Sequence, residues 1–246
     1  MSKEDYFPIE LIRNSPLNYK WNEDIAIKLY YVDNLRLFNA INLSSFRMKM
    51  ALGALITDLI ICRLSPFCDT SDAQKRTDAA WAAVIDPLYV FSLKIELSTG
   101  NFDDREPILG TLESCLKLLD SIYTSYNKGD IYLADPIMCQ AWLARHISPN
   151  KKVFDNWLKD TLRISAKYFP REQEYDKSTE KFDYSNEIPV SPYFFIKKRE
   201  RRFEDNIKDI NLFLSNLEPI NNPYLRSPNE MIKHGFVGIP YKYGFE

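Results

Sequence analysis

The chain reads as all-α, a multi-helix bundle or helical array of about seven helices with an irregular C-terminal tail. Three observations lead there. Apolar residues recur at helical spacing, with few breaks, from about Trp21 to Phe169. Glycine supplies the backbone freedom of tight turns and phosphate loops, and only 7 of the 246 residues are Gly. The one segment with strand-like alternation has no evident partner strand.

Residues 1–20 carry two prolines and little periodicity, which predicts an extended arm. Asn22, Glu23 and Asp24 put polar and acidic groups where a helix dipole favours them. Ile25, Leu29, Leu35, Phe38 and Ile41 then give one helix a rough apolar face as far as Ile41. Ser44 or Ser45 caps the next helix, Phe46 to Leu64. Its apolar residues (Leu52, Leu55, Ile56, Leu59, Ile60, Ile61) surround the axis and predict burial on several sides. Thr70, Ser71 and Asp72 start a third helix, with small residues around Trp81, and Pro87 kinks or ends it.

Residues 88–97 fit two templates. Phe91, Leu93, Ile95 and Leu97 alternate as in a strand, whereas Leu88, Phe91 and Ile95 fit a helix. The lack of a partner favours helix. From Glu106 to Tyr126, Leu109, Leu112, Leu116, Leu119, Tyr123 and Tyr126 mark a strong helix between Pro107 and Gly129. A shorter helix follows over Asp135 to His146. Ser148 and Pro149 open another, lined by Phe154, Trp157, Leu158, Leu162 and Phe169. Residues 171–189 are a polar loop or linker. The stripe Phe203, Ile207, Ile210, Leu214 and Leu217 predicts a long helix from about Tyr193 to Leu217, with Glu204 and Lys208 as an i,i+4 pair. Residues 218–246 form an irregular tail with one short helix, Pro228 to Lys233, and are expected to pack on the body of a single domain, 1–246.

Charge and composition exclude more than they select. A net charge of −2 supplies no global basic field, so nucleic acid is not an expected partner. The most apolar stretch, Met50 to Cys62, is too short to cross a bilayer and contains Asp58. With no signal-peptide pattern at the start and four scattered cysteines, the chain is expected to be cytoplasmic with reduced thiols. A Cys62–Cys68 disulfide is the less favoured alternative.

Catalytic and metal motifs are missing. The two histidines are His146 and His234, and no clustered Cys or paired His offers a metal site. No cofactor is expected. Cys139 and His146 share a helix but lie roughly 10 Å apart along it, too far for a thiol–imidazole pair. The R-x-x-x-x-H motif of the all-helical HEPN ribonucleases is absent, because Ala141 and Asn229 hold the arginine position. Asp58 interrupts the most apolar helix. It reads as a structural tie or a solvent-edge residue before it reads as half of a catalytic acid pair. The basic run Lys197, Lys198, Arg199, Glu200, Arg201, Arg202 is interleaved with acids and reads as a solvated helix face.

In size, acidic character, helical build and lack of catalytic residues, the chain resembles the bacterial immunity proteins that neutralise toxins of contact-dependent or secretion systems. The resemblance is one of general character over the whole chain and brings no site residues with it. It implies a protein partner, a toxin, gripped by an acidic and aromatic surface. The 171–189 loop offers Tyr175, Asp176, Asp183, Tyr184 and Glu187 for that role, since Tyr gives rigid contact area and acids complement a basic cleft. The alternatives are an enzyme with carboxylate chemistry centred on Asp58, and a nucleic-acid factor using residues 197–202.

Overall fold

The structure, a computed structural model, describes residues 3–12, 15–94, 107–172, 181–196, 202 and 204–244. Ten α-helices run through these residues, no strand is present among them, and the fold is an all-α bundle. In chain order they are α1 (Ile9–Ile12), α2 (Glu23–Leu29), α3 (Leu35–Ile41), α4 (Phe46–Leu64), α5 (Ser71–Ile85), α6 (Pro107–Lys128), α7 (Ala134–Ile147), α8 (Lys151–Tyr168), α9 (Asp205–Ser215) and α10 (Pro228–Lys233).

The bundle is organised around α4. All of its residues except Cys62 are buried, and α5, α6 and α7 pack against it. Its sequence is apolar around the whole axis, so burial against several neighbours is the arrangement that keeps that surface from water. Ser45 caps its start by accepting from the Met48 N–H. At the contact with α6, Gly53 faces Ile122. A Cβ at Gly53 would sit 2.9 Å from Ile122 Cγ2, so the bare backbone sets the approach of the two helices.

Several expected boundaries move. The single helix expected to Ile41 is two. Asn22 caps α2 by accepting from Ile25 N–H, and Asn34 caps α3 by accepting from Leu37 N–H. The break at 30–34 lets α3 turn onto α7 and α8. The expected extended arm contains a 3₁₀ turn, Lys3–Tyr6, and α1, and its Tyr6, Phe7 and Leu11 are buried against α4 and α8. Phe7 meets Trp157 edge-on at 5.6 Å. Asn150, not Ser148, caps α8 by accepting from Val153 N–H, and Ser148 donates back to the Ala144 carbonyl.

The helix expected over 88–97 is not there within the described part of that segment. Pro87–Tyr89 form a 3₁₀ turn, and Val90 then pairs in an antiparallel bridge with Leu225. The missing partner is in the C-terminal tail, too distant in sequence to be read as a hairpin. Residues 95–97 lie outside the described residues. The helix expected from Tyr193 also shrinks. Tyr193 belongs to a 3₁₀ turn, Pro192–Phe195, and α9 spans Asp205–Ser215, ending before Leu217; residues 197–201 and Phe203 of the expected stripe lie outside the described residues. Ile210 and Leu214 of its stripe are buried, but Ile207 faces out, and Phe213 and Asp209 take the inner face instead. In α6, Leu109 likewise faces out, while Cys115 and Ile122 fill the interior.

The tail is tied to the end of α5. Phe91 N–H donates to the Tyr224 carbonyl (2.9 Å) and Arg226 N–H to the Tyr89 carbonyl (2.8 Å). The Tyr89 ring packs on Tyr241 and Phe236, at 5.0 and 5.4 Å. Ser227 and Glu230 close a capping box on α10.

Candidate functional site

The buried polar side chains of the core join elements to one another. Asp58 is fully buried where α4 meets α5, and Trp81 donates its indole N–H to Asp58 Oδ2 over 2.7 Å. Among the described residues, Asp58 therefore does not face the open pocket that carboxylate chemistry would require. Gln140 on α7 donates both to Thr57 Oγ1 (2.9 Å) and to Cys115 Sγ (3.2 Å), which links α7, α4 and α6. Burial pushes the Cys115 thiol up to about 12, so it is not a nucleophile at neutral pH. Arg63 donates to the Ser15 and Pro16 carbonyls and so anchors the N-terminal segment. His146 lies within 2.7 Å of the Lys20 carbonyl through Nε2 and stacks on Trp142 at 5.1 Å, so its ring holds the same segment from α7. Cys139, buried on the same helix, has its thiol pushed up by burial and makes no pair with His146.

Lys49 is also fully buried on α4. Its ammonium donates to Asn42 Oδ1 (2.6 Å) and lies 5.7 Å from the Phe46 ring centre. Burial lowers its pKa to about 7, with Arg171 adding to the fall and Glu187 opposing it. Sequence reading passed over Lys49 and Arg47 because Lys and Arg in a helix are ordinarily solvent-facing.

The expected partner-binding residues separate into three groups. Tyr175 and Asp176 lie outside the described residues. Asp183 is exposed, and its carboxylate accepts the Ser185 N–H. Tyr184 and Glu187 turn inward. The two Glu187 carboxylate oxygens accept the N–H groups of Phe46 (2.9 Å) and Arg47 (2.8 Å), at the positive end of α4. The Tyr184 ring stacks on Phe46 (5.0 Å) and packs at a tilt on Tyr126 (4.5 Å) under the Arg47 guanidinium, and burial pushes its phenol up to about 12. Arg47 also donates to the Val84 and Ile85 carbonyls at the end of α5. Residues 181–188 are thus clamped to two helix ends. Gly129, at φ +70°, permits the approach, since a Cβ there would meet the Phe182 carbonyl at 2.5 Å. What this loop presents outward is Asp183, Asn186 and Ile188, beside a cleft of about 240 Å³ shared with Tyr168 and Phe169. Of the basic run 197–202, only Arg202, which is exposed, lies within the described residues.

A larger groove of about 930 Å³ runs between α3 and α8 with α7 as its floor. Leu37, Ala40, Trp142, Phe154, Leu158 and Leu162 line its base, and Leu43 stands at its edge, 61% exposed. The charged side chains along it are Arg36, Arg145, Lys159, Arg163 and Asp155. Asp155 accepts two bonds from Arg145, at 2.7 and 3.0 Å. The apolar stripe of α8 was legible in sequence. That α3 leaves part of it open was not, because a continuous helix through 30–34 would not have formed this wall. Apolar side chains also stand in solvent at the start of α3, with Tyr31 81% and Leu35 68% exposed.

Among the described residues, no three His, Cys, Asp or Glu side chains converge as a metal site would require, and no helix is long and apolar enough to cross a membrane. Compared with family models, curated proteins and solved structures, the chain finds no match.

Proposed function

We propose that this protein acts by holding another protein, and that it is an immunity-type protein neutralising a cognate toxin. The supporting observations are the open apolar groove between α3, α7 and α8 and the exposed Leu35 and Tyr31 at the start of α3. Contiguous exposed apolar surface with a charged rim is the usual composition of a protein interface. By contrast, Asp58, Gln140 and Arg47 use their hydrogen bonds to join helices, and Arg63 uses its bonds to hold the N-terminal segment. Asp183 and Ile188 add a second contact point, with Tyr184 and Glu187 holding that loop in shape from behind.

The test is affinity purification of the tagged full chain from its native host, followed by mass measurement of what elutes. The reading expects one toxic protein in a one-to-one complex, and relief of its toxicity on co-expression. A chain that elutes alone, together with Leu43→Asp and Asp183→Lys variants that change no cellular phenotype, would remove the proposal.

A further inference from the structure

We infer that the α3–α7–α8 groove receives an acidic amphipathic helix of the partner. This rests on the protein-binding reading and adds the kind of segment that is held.

Four cationic side chains line the groove, Arg36, Arg145, Lys159 and Arg163, against one carboxylate, Asp155, which Arg145 already engages. The nearby Asp160 lies 3.8 Å from Arg163, but both side chains are mostly in solvent, so that pair is weak. In a chain with net charge −2 this is a local excess of positive charge beside apolar surface. It matches a partner whose apolar residues are flanked by Glu or Asp.

Apart from Val32, Asn34 and Leu43, the lining residues lie in α3, α7 and α8, whose main-chain groups bond within the helices, and no strand edge exists among the described residues. An entering chain therefore finds side chains to contact and no ladder of N–H and C=O groups to join. It must satisfy its own backbone, which a helix does. Apolar residues at i, i+3 or i+4, and i+7 then lie along Leu37, Leu43, Leu158 and Leu162, with the flanking acids at Arg36, Lys159 and Arg163.

The probe is a fluorescein-labelled helical peptide with Leu at i, i+4 and i+7 and Glu on the flanks, titrated with the full chain and read by anisotropy. Its counterpart with Lys flanks is the control. The acidic peptide should saturate, weaken as salt rises, and outbind the Lys peptide at least tenfold. The double variant Arg36→Glu/Arg163→Glu and the single variant Leu43→Asp should each weaken it at least tenfold. All three positions are exposed, so folding should be unaffected, and Ile220→Asp, at a 99% exposed site in the tail, should change nothing. Equal binding of both peptides overturns the inference, as does indifference to the charge reversals. So does saturation by decanoate, with no binding of either peptide, which would mark an amphiphile site. The purified partner complex separates this inference from the wider reading. A one-to-one complex that survives Arg36→Glu/Arg163→Glu removes the groove but leaves protein binding intact, whereas absence of any complex with the unaltered chain removes both.

Discussion

Trp81 donates its indole N–H to the carboxylate of Asp58 over 2.7 Å, and both side chains are wholly shielded from water. The bond crosses from α5 to α4, so an acid that looked like a candidate catalyst serves to fix how two helices meet. Trp81→Phe deletes this donor and leaves a buried carboxylate with one bond fewer, besides losing packing against Phe195. The expected loss is about 2–4 kcal/mol of stability, measured by urea unfolding. A loss below about 1 kcal/mol would mean that this bond does little to hold the helices.

Glu187 closes the start of α4 from a loop about 140 residues downstream in sequence. Glu187→Ala should cost about 1–2 kcal/mol, the scale of a lost helix cap. Hydrogen exchange should rise at Phe46 and Arg47 and across 181–188, while α7 stays protected. Unchanged protection at Phe46 and Arg47 would contradict the capping role.

Lys49 should leave a signature in the pH dependence of stability. Its pKa falls from 10.5 to about 7 on folding, so between those values the unfolded chain binds more protons than the folded one. Stability therefore rises with pH through that window, and the penalty of the buried charge is fully present below it. Cys115 and Tyr184 act in the opposite sense. Their folded pKa values are raised to about 12, so their contribution is lost as pH climbs past about 9. The clean interval is pH 7 to 8.5, where Lys49 should add about 1–2 kcal/mol. Denaturation series on the unaltered chain and on Lys49→Met should show that slope in the first and its loss in the second. Parallel curves would refute it.

Gly53→Ala should destabilise the protein even though alanine favours helix by about 1 kcal/mol. The new methyl would sit 2.9 Å from Ile122 Cγ2 and force α4 and α6 apart. Net loss of about 1–3 kcal/mol is expected. Combined with Ile122→Ala, it should cost less than the two single changes summed, as a double-mutant cycle would reveal. Simple additivity would mean that the two positions do not limit each other.

Helix content was legible where the signal is local. Ser45, the all-round apolar run to Leu64, the stripe after Pro107, and the short helix from Pro228 to Lys233 each declare an element from within a few residues. The candidate surface was less legible. Tyr184 and Glu187 are aromatic and acidic in a polar segment, a composition equally suited to an interface and to a clamp. What makes them a clamp is the distant presence of Phe46, Arg47 and Tyr126.

By itself, the order of amino acids determined that this chain is helical and that the Phe46–Leu64 helix lies inside. Side-chain periodicity and capping act over three or four residues and need no knowledge of the rest. Only tertiary structure decided that Val90 pairs with Leu225, that Asp58 meets Trp81, and that α3 turns from α2 to leave a basic-rimmed groove against α8. Those outcomes depend on which surfaces meet after the chain has folded back on itself, and contacts between residues distant in sequence leave no period along it.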